Sequence, residues 1–263
     1  MNLGLEGRVA AVAAASRGLG RATAHALAAE GAAVAICGRD PERIRDAALE
    51  IARATGARTL AVTADVSLAD DCRRFVEITR AELGRLDILV TNTGGPRPGS
   101  FAAVGDEDWE AALRSTLVNV VHLVRAAVPA MKANRWGRIV NVASLSAKQP
   151  VDGLVLSNAF RPAIVGLAKT LAVELAGDGI LVNTVCPGYT RTDRLEELAQ
   201  HRARAAGTTP EQVMAELASS VPLRRVAEPA EFAAVVAFLC SERASYVTGM
   251  TIAVDGGACR GLL

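Results

Sequence analysis

The stretch RVAAVAAASRGLGRATAHALAAEG, residues 8–31, decides the fold of this chain of 263 residues. It begins as a short apolar run and continues as an amphipathic helical pattern that ends at Gly31. A buried strand is therefore predicted to pass directly into a helix. In such a turn, backbone N–H groups at the helix start can approach a pyrophosphate. Only Gly18 and Gly20 are glycines here, so the turn alone fits an ordinary strand-to-helix connection equally well.

The same alternation repeats along the chain. Further strands are predicted near residues 32–37, 58–65, 86–92, 137–144, 179–186 and 250–257, and further helices near 40–56, 67–84, 106–133, 155–177 and 228–242. Apolar strands that alternate with helices indicate an α/β fold, a doubly wound parallel sheet of the Rossmann type with helices on both faces. A polar helical stretch at about 190–220 is expected to form a lid over a ligand. We find no internal repeat and expect one domain, residues 1–263.

Composition excludes several classes of function. The charged residues, 22% of the chain, give a net charge of only +1 and form no basic block, so neither nucleic acid nor an anionic membrane is an expected partner. Glu6 and Arg8 interrupt the apolar stretch that a signal peptide would need, and we see no charge-free segment of membrane-spanning length. We expect a soluble cytoplasmic protein. The five cysteines and three histidines are scattered, which indicates free thiols and no metal site.

Two arginines indicate a phosphate site at the predicted carboxyl edge of the sheet. Arg39 lies just past the second strand, where the ribose of an adenosine would lie, and Arg17 lies in the first turn. An arginine there suits a 2′-phosphate, whereas a carboxylate would suit a free 2′-hydroxyl. The alternative is that both arginines are simply solvated.

Short motifs follow the predicted strands: ASRGLG (15–20), ADV (64–66), NTG (92–94), GRIVNVAS (137–144), PGYTRTD (187–193) and YVTGMTIAVDGG (246–257). Together they resemble the short-chain dehydrogenases/reductases, most closely the 3-oxoacyl-acyl-carrier-protein reductase type, over nearly the full length. The resemblance implies an NADP(H)-dependent oxidoreductase acting on a small molecule, with Thr192 on the nicotinamide amide. The implied cofactor-binding residues are Ser16, Arg17, Gly18, Leu19, Gly20, Arg39, Asp65, Val66, Asn92, Gly94, Arg161, Pro187, Gly188, Thr190 and Thr192.

The resemblance fails at the residues that carry the family's chemistry. Ser144 matches the catalytic serine, but the Tyr-x-x-x-Lys expected thirteen residues later falls on Ser157 and Arg161. A fourth family residue, an Asn, falls on Thr116, counted from Trp109. Of the four candidate catalytic residues, only Ser144 is the amino acid that the family has at that position.

These substitutions change the chemistry that the site can perform. The hydroxyl of Ser157 is a far weaker acid than a phenol, whose pKa is near 10, so it is not expected to act as a general acid. Arg161 keeps a cation that can hold ribose hydroxyls or a developing oxyanion.

Three interpretations stay open. The protein is an active NADPH-dependent reductase of a carbonyl or enone, protonated by water held by Ser157 or by Tyr189. Alternatively, it is a nucleotide-binding but catalytically silent relative with a regulatory or assembly role. In the third interpretation, Ser157 and Arg161 are merely tolerated polar residues.

The sequence also predicts two structural features of its helices. Pro162, inside a helical pattern, predicts either a kink at 158–162 or a helix that starts only at Pro162. The helical segments 106–133 and 155–177 are apolar on every side, which predicts cover from another subunit. The family's usual dimer seam pairs these helices, so a homotetramer is expected.

Overall fold

A seven-stranded parallel sheet forms the centre of the computed structural model, which describes residues 2–261. Its strands are β1 (Val9–Val12), β2 (Ala33–Gly38), β3 (Thr59–Thr63), β4 (Ile88–Thr91), β5 (Gly137–Val142), β6 (Ile180–Pro187) and β7 (Thr251–Val254). They are arranged in the order β3-β2-β1-β4-β5-β6-β7. The predicted doubly wound Rossmann-type sheet is confirmed.

Helices cover both faces of this sheet. They are α1 (Gly18–Ala29), α2 (Pro41–Thr55), α3 (Ala69–Leu83), α4 (Asp106–Leu113), α5 (Asn119–Asn134), α6 (Val155–Leu175), α7 (Asp193–Ala206), α8 (Pro210–Ser220) and α9 (Pro229–Cys240). One face is packed with residues of α1, α2 and α9, among them Leu27 and Phe232. The other face is packed with residues of α3, α5 and α6, among them Phe75 and Leu123. The core is therefore divided between the two sides of the sheet.

The direction of winding reverses at β1. This strand pairs in parallel with β2 on one side and with β4 on the other. Where the order of a doubly wound sheet reverses, the connections beyond the carboxyl ends diverge to opposite faces and leave a crevice. The fold thus places its natural ligand site beside the turn that follows β1.

The turn after β1 is tightly packed. Ala14 has a φ of 47°, a left-handed conformation that is unfavourable for a residue with a Cβ atom. Its carbonyl accepts a hydrogen bond of 3.1 Å from the Asn92 side chain, which ties the turn to the end of β4. A Cβ atom on Gly20 would lie 2.5 Å from that same carbonyl oxygen. Gly20 is therefore required by packing between the turn and α1.

The prediction that a helix starts only at Pro162 is wrong. Helix α6 begins at Val155 and continues through Pro162 to Leu175. Its start is fixed by the side chain of Asn158, which bonds both the backbone N–H and the carbonyl of Val151. Pro162 is exposed, so water can reach the carbonyl that loses its helical partner. Anchoring of the first turn outweighs the local cost of the proline.

The predicted long helix at 106–133 is interrupted by a π-helical turn, Arg114–Val118, between α4 and α5. Turns of this kind mark strain or a functional site within a helix. An 18-residue segment within the stretch from Asp106 to Asn134 has a mean hydropathy of 1.2, and the stretch is long enough to span a membrane. In this fold, however, α5 buries Leu123 and Met131 in the core beside the sheet.

The five cysteines are free thiols. Four are buried, and Cys259 is partly exposed. Burial raises the pKa of Cys37, Cys72 and Cys240 to about 12, so these thiols stay protonated at neutral pH. They act as small apolar side chains of the core.

We predict that Ala14→Gly stabilises the protein, because glycine relieves the left-handed strain. The gain should be about 0.5–1 kcal/mol, since glycine also makes the unfolded chain more flexible. Ala13→Gly is the matched control; Ala13 is fully buried and has no positive φ, so this change should destabilise. Urea unfolding of both variants measures the difference. If both changes destabilise the protein equally, the left-handed conformation of Ala14 is not a source of strain.

Candidate active site

A cleft of about 650 Å³ lies at the carboxyl edge of the sheet, between the strand ends and helix α7. Most predicted site residues line it: Ser16, Arg17, Gly18, Leu19, Arg39, Asp65, Val66, Asn92, Gly94, Ser144, Ser157, Arg161, Pro187, Gly188, Thr190 and Thr192. Gly20 and Thr116 are not on its wall. Gly20 is held beneath the turn, and Thr116 is fully buried in the π-helical turn. The neighbour of Thr116, Ser115, lines the cleft instead.

One end of the cleft is formed by the first turn of α1. This helix begins at Gly18, and no side chain caps its start. The amide N–H groups of an uncapped helix start form a site for an anion such as a phosphate. Gly18 has a φ of 57°, and a Cβ atom there would lie 3.4 Å from the methyl group of Thr192. The turn therefore approaches the loop after β6 closely.

The two predicted phosphate-binding arginines have different surroundings. Arg17 bonds to Asp193 at 2.7 Å and lies 3.7 Å from Glu197, both on α7. Arg39 is exposed and has no hydrogen bond or ion pair with any of residues 2–261. Of the two, Arg39 is thus the cation that a ligand at the end of β2 would meet, whereas Arg17 joins the turn to the lid.

Local hydrogen bonds hold the residues after β3 and β6 in place. The Asp65 carboxylate accepts bonds from the backbone and hydroxyl of Ser67. The Asp65 amide bonds to Asp71, and this bond lowers the pKa of the Asp71 carboxyl. Thr192 caps α7 by accepting a bond from the Leu195 amide. Both loops are therefore fixed by the chain itself.

Three serines form a cluster beside the opposite wall: Ser144 and Ser157 line the cleft, and Ser146 is buried next to them and is not on the wall. Ser144 follows β5, and its Oγ accepts a bond of 3.2 Å from the Ser146 amide. The hydroxyls of Ser146 and Ser157 are 2.8 Å apart, and either can be the donor. Ser146 is not among the site residues predicted from the sequence. Its place two residues after a candidate catalytic serine was the only available signal.

Arg161 is a buried cation beside these serines. Its Nη1 donates a hydrogen bond of 2.6 Å to the Val142 carbonyl, and its Nε is buried without a partner. Burial lowers the pKa of its guanidinium to about 10. The group is still charged at neutral pH, and within the described part of the chain no carboxylate pairs with it. The site can therefore attract and stabilise negative charge.

Comparison with known proteins identifies the family. The family model described as Enoyl-(Acyl carrier protein) reductase matches residues 13–259. The chain belongs to the short-chain dehydrogenase/reductase family. The resemblance inferred from the strand-end motifs is thereby confirmed.

Relatives of this short-chain dehydrogenase/reductase match along nearly its whole length. Oxidoreductase UcpA of Escherichia coli K12 is 36% identical over 255 residues, covering 97% of this chain and 95% of the relative. The 3-oxoacyl-(acyl-carrier-protein) reductase FabG of Aquifex aeolicus is 35% identical over 257 residues, covering 98% and 99%. The crystal structure of L-sorbose reductase from Gluconobacter frateurii, complexed with NADPH and L-sorbose, superposes with a TM-score of 0.95 at 33% identity over 100% of both chains.

The wall formed by Ser144, Ser157 and Arg161 has a simple chemical composition. It presents two hydroxyls and one guanidinium to the cleft, and no phenol stands at position 157. The three groups can donate hydrogen bonds and stabilise an anion, but none is an acid that titrates near neutral pH. Tyr189 also lines the cleft and carries a phenol.

We predict that Arg161→Met raises the free energy of unfolding by about 1 kcal/mol or more, because it removes an uncompensated buried charge. Arg138→Met is the control. Arg138 is also buried, but it stacks on Trp136 and lies 3.7 Å from Glu242, so its loss should destabilise by about 1–3 kcal/mol. Urea unfolding at pH 7 measures both changes.

The pH dependence of this stability change follows from the pKa of the Arg161 guanidinium. The folded protein releases the Arg161 proton at about pH 10, because burial lowers the pKa of this guanidinium below its value in the unfolded chain. The cost of burying the charge is therefore fully present below pH 10 and declines only as the pH rises through that range. Destabilisation by Arg161→Met at pH 7 would show that the charge has a compensating partner.

Proposed function

We propose that this protein is an NADP(H)-dependent oxidoreductase, similar to 3-oxoacyl reductases, that acts on a carbonyl or enone group of a small molecule. One observation carries the proposal. A single cleft connects the uncapped turn and Arg39 at one end with Ser144, Ser157 and Arg161 at the other. The NADPH complex of the L-sorbose reductase and the name of the FabG relative support this assignment.

The residues of the cleft fit NADP(H). The start of α1 offers amide donors for the pyrophosphate, and Arg39 offers a cation for the 2′-phosphate. Asn92, Gly94 and the loop from Pro187 to Thr192 would hold the nicotinamide end. When bound, the reduced cofactor supplies a hydride. The protein supplies the binding, orientation and electrostatic environment.

The chain's own residues would act mainly through hydrogen bonds and charge. Ser144 and Ser157 donate to the substrate oxygen, and Arg161 binds the nicotinamide ribose or stabilises negative charge on that oxygen. Ser157 positions the substrate oxygen and does not protonate it, since an alcohol does not titrate near neutral pH. The proton comes from a water held by Ser157 or from Tyr189, which shares the cleft.

A silent nucleotide-binding relative is the second candidate function. The buried charge of Arg161 lowers stability unless a ligand completes it, and negative charge that develops on a substrate oxygen would complete it better than the neutral ribose hydroxyls, which favours an active site. Cofactor oxidation measured with a panel of carbonyl and enone compounds, beside a plain NADPH titration, separates the two. The silent relative would bind NADPH and turn over none of them.

We predict that NADPH binds more tightly than NADH and that Arg39→Ala removes the difference. One charge-assisted contact to the 2′-phosphate is worth about 1.5–3 kcal/mol, so NADPH should bind roughly 10- to 100-fold more weakly while NADH is little affected. Arg43→Ala is the control, because Arg43 is exposed on α2 and pairs with Asp40. Fluorescence titration gives each dissociation constant. Equal affinities for both cofactors in the unmodified protein would refute this preference.

We predict that ordinary 3-oxoacyl thioesters are reduced slowly or not at all, since general acid catalysis typically contributes 10²–10⁴ in rate. The double variant Ser157→Tyr with Arg161→Lys should gain ketone reduction, with a pH profile set by the new phenol. Ser157→Ala should lower activity less than Arg161→Ala, which should also weaken cofactor binding. If the unmodified protein reduces 3-oxoacyl thioesters at ordinary enzyme rates, another group acts as the general acid.

We also propose a soluble, cytoplasmic homotetramer formed from single-domain chains. Large apolar side chains stand exposed on the described surface: Val173 on α6 at 76%, Phe101 at 75%, and Tyr246 almost entirely. Contacts between subunits would remove these apolar side chains from water, which is favourable. We expect light scattering at micromolar concentration to give four times the mass of one chain. A mass of one chain would contradict the tetramer.

A further inference from the structure

Arg161 and Arg194 approach the same point of the cleft from two different helices. Gly95 lies between them. A Cβ atom placed on Gly95 would be 3.9 Å from Nη2 of Arg161 and 3.9 Å from Nε of Arg194. The two groups carry the same charge, and besides burial, the charge of Arg194 contributes to lowering the pKa of Arg161. Such an approach is unfavourable unless an anion lies between or beside the two groups.

The protein itself offers little compensation for these charges. Arg161 gives one hydrogen bond, to the Val142 carbonyl, and its Nε has no partner. Arg194 donates a bond of 2.7 Å to the Pro96 carbonyl, and its nearest carboxylate, Glu197, is 3.6 Å away. That same carboxylate also faces Arg17 at 3.7 Å. Among residues 2–261, the pair therefore lacks a dedicated counter-ion.

The cofactor would not supply the missing charge either. In the proposed function, its phosphates are held by the amide groups at the start of α1 and by Arg39, and neither phosphate is assigned to Arg161 or Arg194. The nicotinamide ribose offers Arg161 only neutral hydroxyls. The guanidinium of Arg161 has five N–H donors, so a ribose contact and a contact with an anion are compatible.

We propose that Arg161 and Arg194 together bind a carboxylate of the substrate, which makes the substrate a carbonyl or enone compound that also bears a carboxylic acid. Guanidinium groups match carboxylates through two parallel N–H···O bonds. Apolar side chains also line the cleft, among them Pro96, Leu154 and Leu198, together with the hydroxyls of Ser144 and Ser157. These apolar side chains suit the hydrocarbon part of a small oxo acid. The inference rests on the proposed function and specifies its substrate class.

The test compares acids with their neutral methyl esters. Three pairs place the carboxylate at different distances from the carbonyl: 2-oxo-4-phenylbutanoate, 4-oxo-4-phenylbutanoate and the enone 4-oxo-4-phenyl-2-butenoate, each with its ester. Calorimetric titration into the full chain saturated with NADP⁺ reads binding without turnover. NADPH oxidation is measured in parallel. The variants are Arg194→Gln and Arg194→Lys, with Arg204→Gln as the control on an exposed position of the same helix.

We expect at least one acid to bind about tenfold or more tightly than its ester. Arg194→Gln should abolish this preference, Arg194→Lys should retain part of it, and Arg204→Gln should leave it unchanged. The affinity for NADPH should stay the same in all three variants, since none changes a group assigned to the cofactor. A structural role of Arg194 alone would not give partial rescue by lysine together with unchanged cofactor binding.

Three results would overturn the inference: no acid is preferred over its ester, the preference survives Arg194→Gln, or inorganic phosphate displaces the acid as effectively as a matched carboxylate such as benzoate. The last result would show a general anion site. Failure of the proposed function looks different, because the protein would then either not bind NADPH or bind it and turn over none of the carbonyl and enone compounds. A protein that oxidises NADPH with one of these compounds but treats acid and ester alike refutes only the carboxylate site.

Discussion

Parallel pairing of all seven strands is the constraint on which the rest of the molecule depends. Parallel neighbours can be joined only by a crossover that returns the chain to its starting end. Each strand therefore delivers its following loop to the same edge of the sheet. The turn at Gly18, the serine after β5 and the loop after β6 meet there although they are far apart in sequence. The reversal of winding at β1 opens the space between them.

The two buried arginines of the described chain show how differently a fold can treat one residue type. Arg138 lies at the opposite, amino end of β5, stacked on Trp136 and near Glu242, so its charge is compensated within the protein. Arg161 has a carbonyl partner and an unpaired Nε. The first arrangement supports the fold. The arrangement of Arg161 lowers the stability of the fold. Such arrangements occur at functional sites, where a ligand supplies the missing partner.

The lid consists of α7 and α8, which have a small apolar cluster of their own around Leu195, Val213 and Leu217. Polar contacts attach it to the rest of the molecule across the cleft, chiefly Arg17 with Asp193 and Arg194 with the Pro96 carbonyl. The ion pair is exposed, and exposed ion pairs contribute little free energy. The lid therefore has a small core of its own and is joined to the opposite side of the cleft mainly by polar contacts.

The sequence by itself determined the parallel α/β sheet, because strand and helix periodicity are local and the apolar strands leave no other way to be covered. It also indicated which loops meet at the site, since parallel strands end at one edge. Only the tertiary structure decided that Arg17 pairs with α7, that α6 runs through Pro162, that a π-helical turn interrupts the long helix, and that Ser146 and Arg194 join the site. Each of these features depends on contacts between separate helices and strands. Local periodicity does not encode the distances across those contacts or the desolvation of the side chains that make them.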